Sequence, residues 1–182
     1  MNSNSTEALN KKFVIVPTAL GRFQRPTILA LAVMNKSSQK LKMGFRLGIY
    51  TKEEVIDWVV VEIDQSDEPS EKLLDLSFAT TKGVHDIYSA LCDLDGSPEE
   101  DDVLIEVLTD LEDQVIDNIE FCRDLAIKLY SYYIDKNYEV DQRLTEIGYF
   151  DDGYDLALRG IGETIDEWHT RFKRFLNELK NC

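Results

Sequence analysis

The chain has 182 residues, 43% of them hydrophobic and 30% charged, and a formal net charge of −15. That composition belongs to a packed globular protein rather than a disordered one, and the length is enough to bury a core without disulfide or metal staples. The negative field argues against nucleic acid or an anionic membrane surface as a partner.

No apolar run approaches the roughly 20 residues that cross a bilayer. The opening MNSNSTEALNKK lacks the apolar stretch of a secretory signal, so a cytoplasmic location is expected. Cys92, Cys122 and Cys182 are odd in number, widely spaced and never arranged as CxxC. A disulfide framework or zinc site is therefore not expected, and Cys92 and Cys122 read as small buried hydrophobes. Charge is unevenly spread. Residues 1–50 hold eight Lys/Arg and one acid, a balance of +7, whereas residues 51–182 hold twelve Lys/Arg and 34 acids, a balance of −22. The basic third is expected to satisfy part of the acidic remainder internally.

In chain order, residues 1–12 read as a flexible tail and 13–182 as a single all-α domain. KKFVIVP at 11–17 is β-branched but finds no second strand, so an extended segment packed on helices is expected. A helix follows from Pro26, with proline in its first turn. KLKMGFRLG suits a short helix ended by Gly48. In TKEEVIDWVVVEID, Thr51 and Glu54 form the capping-box pattern. QSDEP breaks the chain, SEKLLDLSF restarts it, and TTKGVHDIYSALCDLD gives a further helix halted near Gly96 and Pro98.

No proline follows Pro98, and no glycine lies between Gly96 and Gly148. Glu99, Glu100, Asp101 and Asp102 suit the positive end of a helix dipole. Leu104, Leu108, Leu111, Val115, Ile119, Cys122, Ala126, Leu129 and Tyr133 then step by three and four, which predicts one long helix or two kept in phase. Leu158, Ile161, Ile165, Trp168, Phe172, Phe175 and Leu179 repeat the pattern and predict a closing helix. Between the seams, EIGYFDDGYD reads as a loop or helix junction. The sum is a helical bundle or stacked helical hairpins with about seven or eight helices.

Residues 84–122 contain thirteen acids and no Lys or Arg. A calcium loop does not explain them. Counting from Asp93, glycine falls fourth, proline sixth and leucine twelfth, where an EF-hand needs glycine sixth and glutamate twelfth. Asp102, Glu106, Asp110, Asp113, Asp117, Glu120 and Asp124 step by three and four and would form one ridge opposite the leucine seam, about 33 Å long on an unbroken helix. Every i,i+4 neighbour on that ridge repels, whereas an exposed helix usually mixes signs. The ridge is either a solvated face or a surface shaped for a cationic partner. Charge alone seldom anchors a complex, and buried aromatic residues usually do. Tyr149, Phe150 and Tyr154, with Asp151, Asp152 and Asp155 around them, combine both. Core packing is the competing role for these aromatics, Phe150 above all.

No motif announces catalysis. His85 and His169 fall inside predicted helices, and no HExxH, GxSxG, P-loop or GxGxxG is present. In YSYY, Tyr133 is expected in the seam and Tyr132 near the surface. No catalytic residue, metal ligand or cofactor site is assigned.

The segments GIYTKEEVIDWVVVEIDQSDEPSEKLLDLSF and LAIKLYSYYIDKNYEVDQRLTEIGYFDDGYDLAL, with the acidic balance, resemble the immunity proteins of bacterial polymorphic and contact-dependent toxin systems. The resemblance spans about residues 48–158. It implies a non-enzymatic antitoxin that binds and neutralises a cognate toxin domain, often a basic nuclease. A helical adaptor or regulator with another protein partner is the alternative, and a carboxylate enzyme using a divalent metal is a third reading.

Overall fold

The computed structural model describes residues 37–95 and 100–181. The expected tail, the extended segment at 11–17, the helix from Pro26 and the stop at Gly96 and Pro98 lie outside the described residues. Among those described, nine α-helices and two 3-10 segments are present and no strand is found. The all-α expectation holds.

The first helices follow the local signals. α1 (Ser38–Arg46) is capped by the Ser37 hydroxyl, which accepts from the Lys40 amide at 3.3 Å. Gly48, at φ +67°, turns the chain out of it. α2 (Lys52–Gln65) opens with the reciprocal Thr51–Glu54 box, at 2.6 and 3.2 Å. Ser70 caps α3 (Glu71–Ser77) with its hydroxyl alone, which accepts the Leu73 amide at 3.3 Å. A 3-10 turn at Ala79–Thr81 leads into α4 (Val84–Asp95). Such caps each stabilise a helix by about 1 kcal/mol.

The acidic stretch, expected as one long helix or two kept in phase, is broken twice. It folds as α5 (Asp101–Thr109), a four-residue α6 (Asp113–Ile116) and α7 (Ile119–Asp135). Glu112 and Asn118 have extended ψ values, 147° and 110°, and break the helix twice. Both breaks are satisfied from outside the ladder. Asn118 accepts the Glu120 and Phe121 amides. Lys180 Nζ donates to the Leu111 carbonyl at 2.8 Å. The Ile116 carbonyl receives the Cys122 thiol at 3.2 Å and lies 2.8 Å from His169 Nε2. Burial pushes that thiol up to about 12.

The breaks shift the phase of the seam. Ile116 takes the buried place expected of Val115, and Tyr132 that expected of Tyr133. Tyr132 is fully buried, with its hydroxyl donating to Asp101 Oδ1 at 2.7 Å, so the expected order of the two tyrosines is reversed.

A 3-10 segment (Gln142–Gly148) leads into α8 (Phe150–Leu158), so the stretch expected as a loop or helix junction holds the join of these two elements, and its acidic part is helical. The closing helix, α9 (Ile165–Lys180), starts later than the seam implied. Thr164 and Glu167 cap it, and residues 159–164 form a turn in which Gly160 (φ +71°) and Gly162 (φ +81°) adopt left-handed conformations suited to glycine. Leu158 and Ile161 consequently leave the core and are exposed.

Packing runs α2–α3–α4–α1–α5–α9–α8–α7. α1 is the centre of this order, and Leu41 to Phe45 are all buried in it. A helix apolar on several sides belongs inside, between two layers of neighbours. The buried side chains form one core from Leu41 to Leu179. Its aromatic end gathers Phe150, Trp168, Phe172 and Phe175 where α8 crosses α9. That crossing positions the surface described next.

Candidate protein-interaction surface

The seven ridge carboxylates do not stand as an uncompensated row. On α5, Asp102 meets Arg143 at 2.8 Å, while Glu106 and Asp110 lie 2.6 and 3.9 Å from Lys40 of α1. Lys180 of α9 reaches Asp113 at 3.2 Å, and Lys173 bonds Asp117. Arg143 also holds Asp141, whose carboxyl is pulled down to about 2, chiefly by that side-chain hydrogen bond. The bond from Lys173 likewise lowers Asp117. Five of the seven carboxylates thus serve contacts between elements distant in sequence, and Lys40 is a cation of the basic third. Glu120 and Asp124, exposed on α7, have no ion pair among the described residues.

α8 is different. Phe150 and Ala157 point into the core, and Tyr154 is half buried against Trp168, at 4.9 Å between ring centroids. Phe150 is fully buried and cannot touch a partner, which removes it from the expected set of contacts. Its carbonyl accepts the Trp168 indole N–H at 2.8 Å. The outer side carries Asp152 and Asp155, with Asp151 at its edge. Asp151 is pushed above the usual carboxylate range by desolvation first and by repulsion from Asp155 and Asp152 next. Arg123, stacked over the Tyr154 ring at 5.4 Å, opposes that shift without cancelling it. The ridge carboxylates Asp113 and Asp117 have their cations, whereas this cluster remains in electrostatic conflict.

Four exposed apolar side chains surround it: Tyr149 (66% exposed), Leu158 (61%), Ile161 (56%) and Leu156 (45%). Periodicity alone assigned Leu158 and Ile161 to the core and passed over Leu156. Gly160 and Gly162, on either side of Ile161, were the signal that the helical seam stops before it. Tyr149, Asp152 and Leu156, spaced three and four apart, line a shallow groove of about 450 Å³ with Ile161 and the Glu163–Arg171 pair. Arg171 holds Glu163 by two hydrogen bonds, at 2.6 and 3.2 Å. Gly153 makes room for this pair, since a Cβ there would lie 2.8 Å from an Arg171 nitrogen.

Among the described residues, no group of three or more His, Cys, Asp or Glu side chains is arranged to hold a metal ion. His85 is exposed, and His169 contacts a backbone carbonyl. Within the same residues, no helix is long and apolar enough to cross a membrane. Compared with protein-family models, curated proteins and solved structures, the chain matches none of them.

Proposed function

We propose that this protein is a non-catalytic antitoxin of the immunity type, which binds a cationic toxin domain, of the nuclease class, and neutralises it by occlusion. One observation carries the reading. Exposed apolar side chains at Tyr149, Leu156, Leu158 and Ile161 share a segment with Asp151, Asp152 and Asp155, and Asp151 is raised by burial first and by repulsion from Asp155 and Asp152 next, which Arg123 does not offset. A partner that brings cations to α8 relieves that repulsion, and its apolar contacts cover surface that otherwise faces water. Glu120 and Asp124 extend the negative field along α7. The contact therefore centres on α8, and the ridge from Asp102 to Asp117 supports the fold.

The test is co-expression with candidate basic toxin domains drawn from the genes that neighbour this one. Stoichiometric co-purification, with affinity falling as salt rises, is the expected result. Reversing Asp151, Asp152 and Asp155 to lysine should abolish protection. Protection that survives this reversal would remove α8 from the contact.

The adaptor reading draws on a second patch. Phe78 (77% exposed), Val84 and Leu74 stand out at the α3–α4 junction, far from α8 in the packing order. A partner lost on Phe78→Ser and retained on the α8 reversals would favour it.

A further inference from the structure

The groove beside α8 says what kind of segment the partner would present. It has an apolar mouth, formed by Tyr149, Leu156 and Ile161 around the open turn at Gly162. At Gly162 the turn is open, since a Cβ built there would meet nothing within 4 Å. A second hollow continues past Gly162 and Glu163 along α9 to Asp166. Each cation on this α9 wall already has a carboxylate: Arg171 holds Glu163, and Arg174 lies 3.8 Å from Glu178. Glu167 is engaged by the cap, accepting the Thr164 amide at 2.7 Å. The carboxylates left over are Asp152 at one end and Asp166 at the other, neither in an ion pair among the described residues.

We infer that this groove seats a short basic segment of the protein partner, with one apolar side chain lodged among Tyr149, Leu156 and Ile161 and flanking Lys or Arg reaching Asp152 and Asp166. The inference rests on the binding role proposed above and narrows it. A purely charged segment would leave the apolar mouth wet. A neutral apolar segment would leave the two carboxylates unmatched. A second copy of this chain would bring a net charge of −15 towards the same sign. A basic segment with a single apolar anchor satisfies both features.

The probe is a synthetic peptide of lysines flanking one leucine, titrated into the full-length protein and followed by calorimetry and by backbone amide shifts. Saturable binding is expected, with the largest shifts at Tyr149, Leu156, Ile161 and Gly162. Replacing the peptide leucine by serine, or introducing Leu156→Ser or Ile161→Ser, should weaken binding roughly tenfold, the scale of one lost apolar anchor. Both protein side chains are exposed, so the variants should keep their helical circular dichroism.

Binding indifferent to the leucine, or shifts confined to other helices, would overturn the assignment. So would concentration-dependent dimerisation abolished by Leu156→Ser, which would give the groove to a second copy. The whole partner separates this inference from the broader one. If Asp151, Asp152 and Asp155 reversal releases it while Leu156→Ser and Ile161→Ser do not, the groove fails and the antitoxin reading stands. If none of these changes releases it, both fail.

Discussion

Trp168 donates its indole N–H to the carbonyl oxygen of Phe150 at 2.8 Å, and both side chains are fully buried. This bond ties the first turn of α8 to the first turn of α9. It sits beneath the Phe150–Phe172 edge contact and the Tyr154–Trp168 edge contact. Trp168→Phe should keep the fold but remove this bond across the helix crossing and leave a small void, the Phe150 carbonyl keeping only the amide of its own helix. The expected loss is about 2–4 kcal/mol by urea denaturation. α8 should loosen first, seen as faster amide exchange across Phe150–Leu158.

Gly44 lies in the most buried helix, and a Cβ there would fall 2.1 Å from Tyr50 Cε2. The Tyr50 ring is itself in the core and has little room to move. Gly44→Ala normally favours a helix by about 1 kcal/mol. Here overpacking should outweigh that gain, for a net loss of about 1–2 kcal/mol. A melting temperature equal to or above that of the native sequence would show that Tyr50 can yield.

Reversing Asp110, Asp113 and Asp117 to lysine separates the two acidic regions. Each new lysine would face an existing one: Lys40, Lys180 and Lys173. The melting temperature should fall, and the deficit should shrink as salt screens the repulsion. Partner affinity should change far less than after reversal of Asp151, Asp152 and Asp155. Equal losses of affinity would return the ridge to the contact.

Asp151→Asn tests the conflict on α8 through pH. The native pKa of Asp151 is raised, so the folded state holds this proton more tightly than the unfolded chain does. Stability from this group is present below the ordinary carboxylate range and is lost as pH rises through the native value. At neutral pH the charged carboxylate therefore destabilises. The Asn variant should melt higher there, and its advantage should vanish in acid. If α8 meets a cationic partner, the same change should weaken that complex.

Much of the helix plan was legible because it is local. Thr51 with Glu54, Ser70 and Gly48 announce ends through contacts within one turn, and periods of three and four mark buried faces. Asn118 was a local cap signal inside a pattern that read as one long helix or two kept in phase. The two breaks kept the apolar steps nearly in phase, so periodicity did not register them. The candidate surface was half legible. Tyr149, Asp152 and Asp155 stand exposed on α8, but Phe150 is core and Leu156 with Ile161 were not foreseen as surface.

The amino-acid sequence alone determined the helical class, the caps and the excess of negative charge, since these depend on composition and on neighbours a few residues apart. Which carboxylates are compensated was decided by tertiary structure. Lys40, Arg143, Lys173 and Lys180 come from far along the chain, and only the packing of α1 on α5, of α9 on α5, and of the segment carrying Arg143 near Asp102 brings them to the ridge. Coulomb interactions act through space, so a row of like charges in sequence can be internally satisfied while a shorter cluster on α8 is left in conflict.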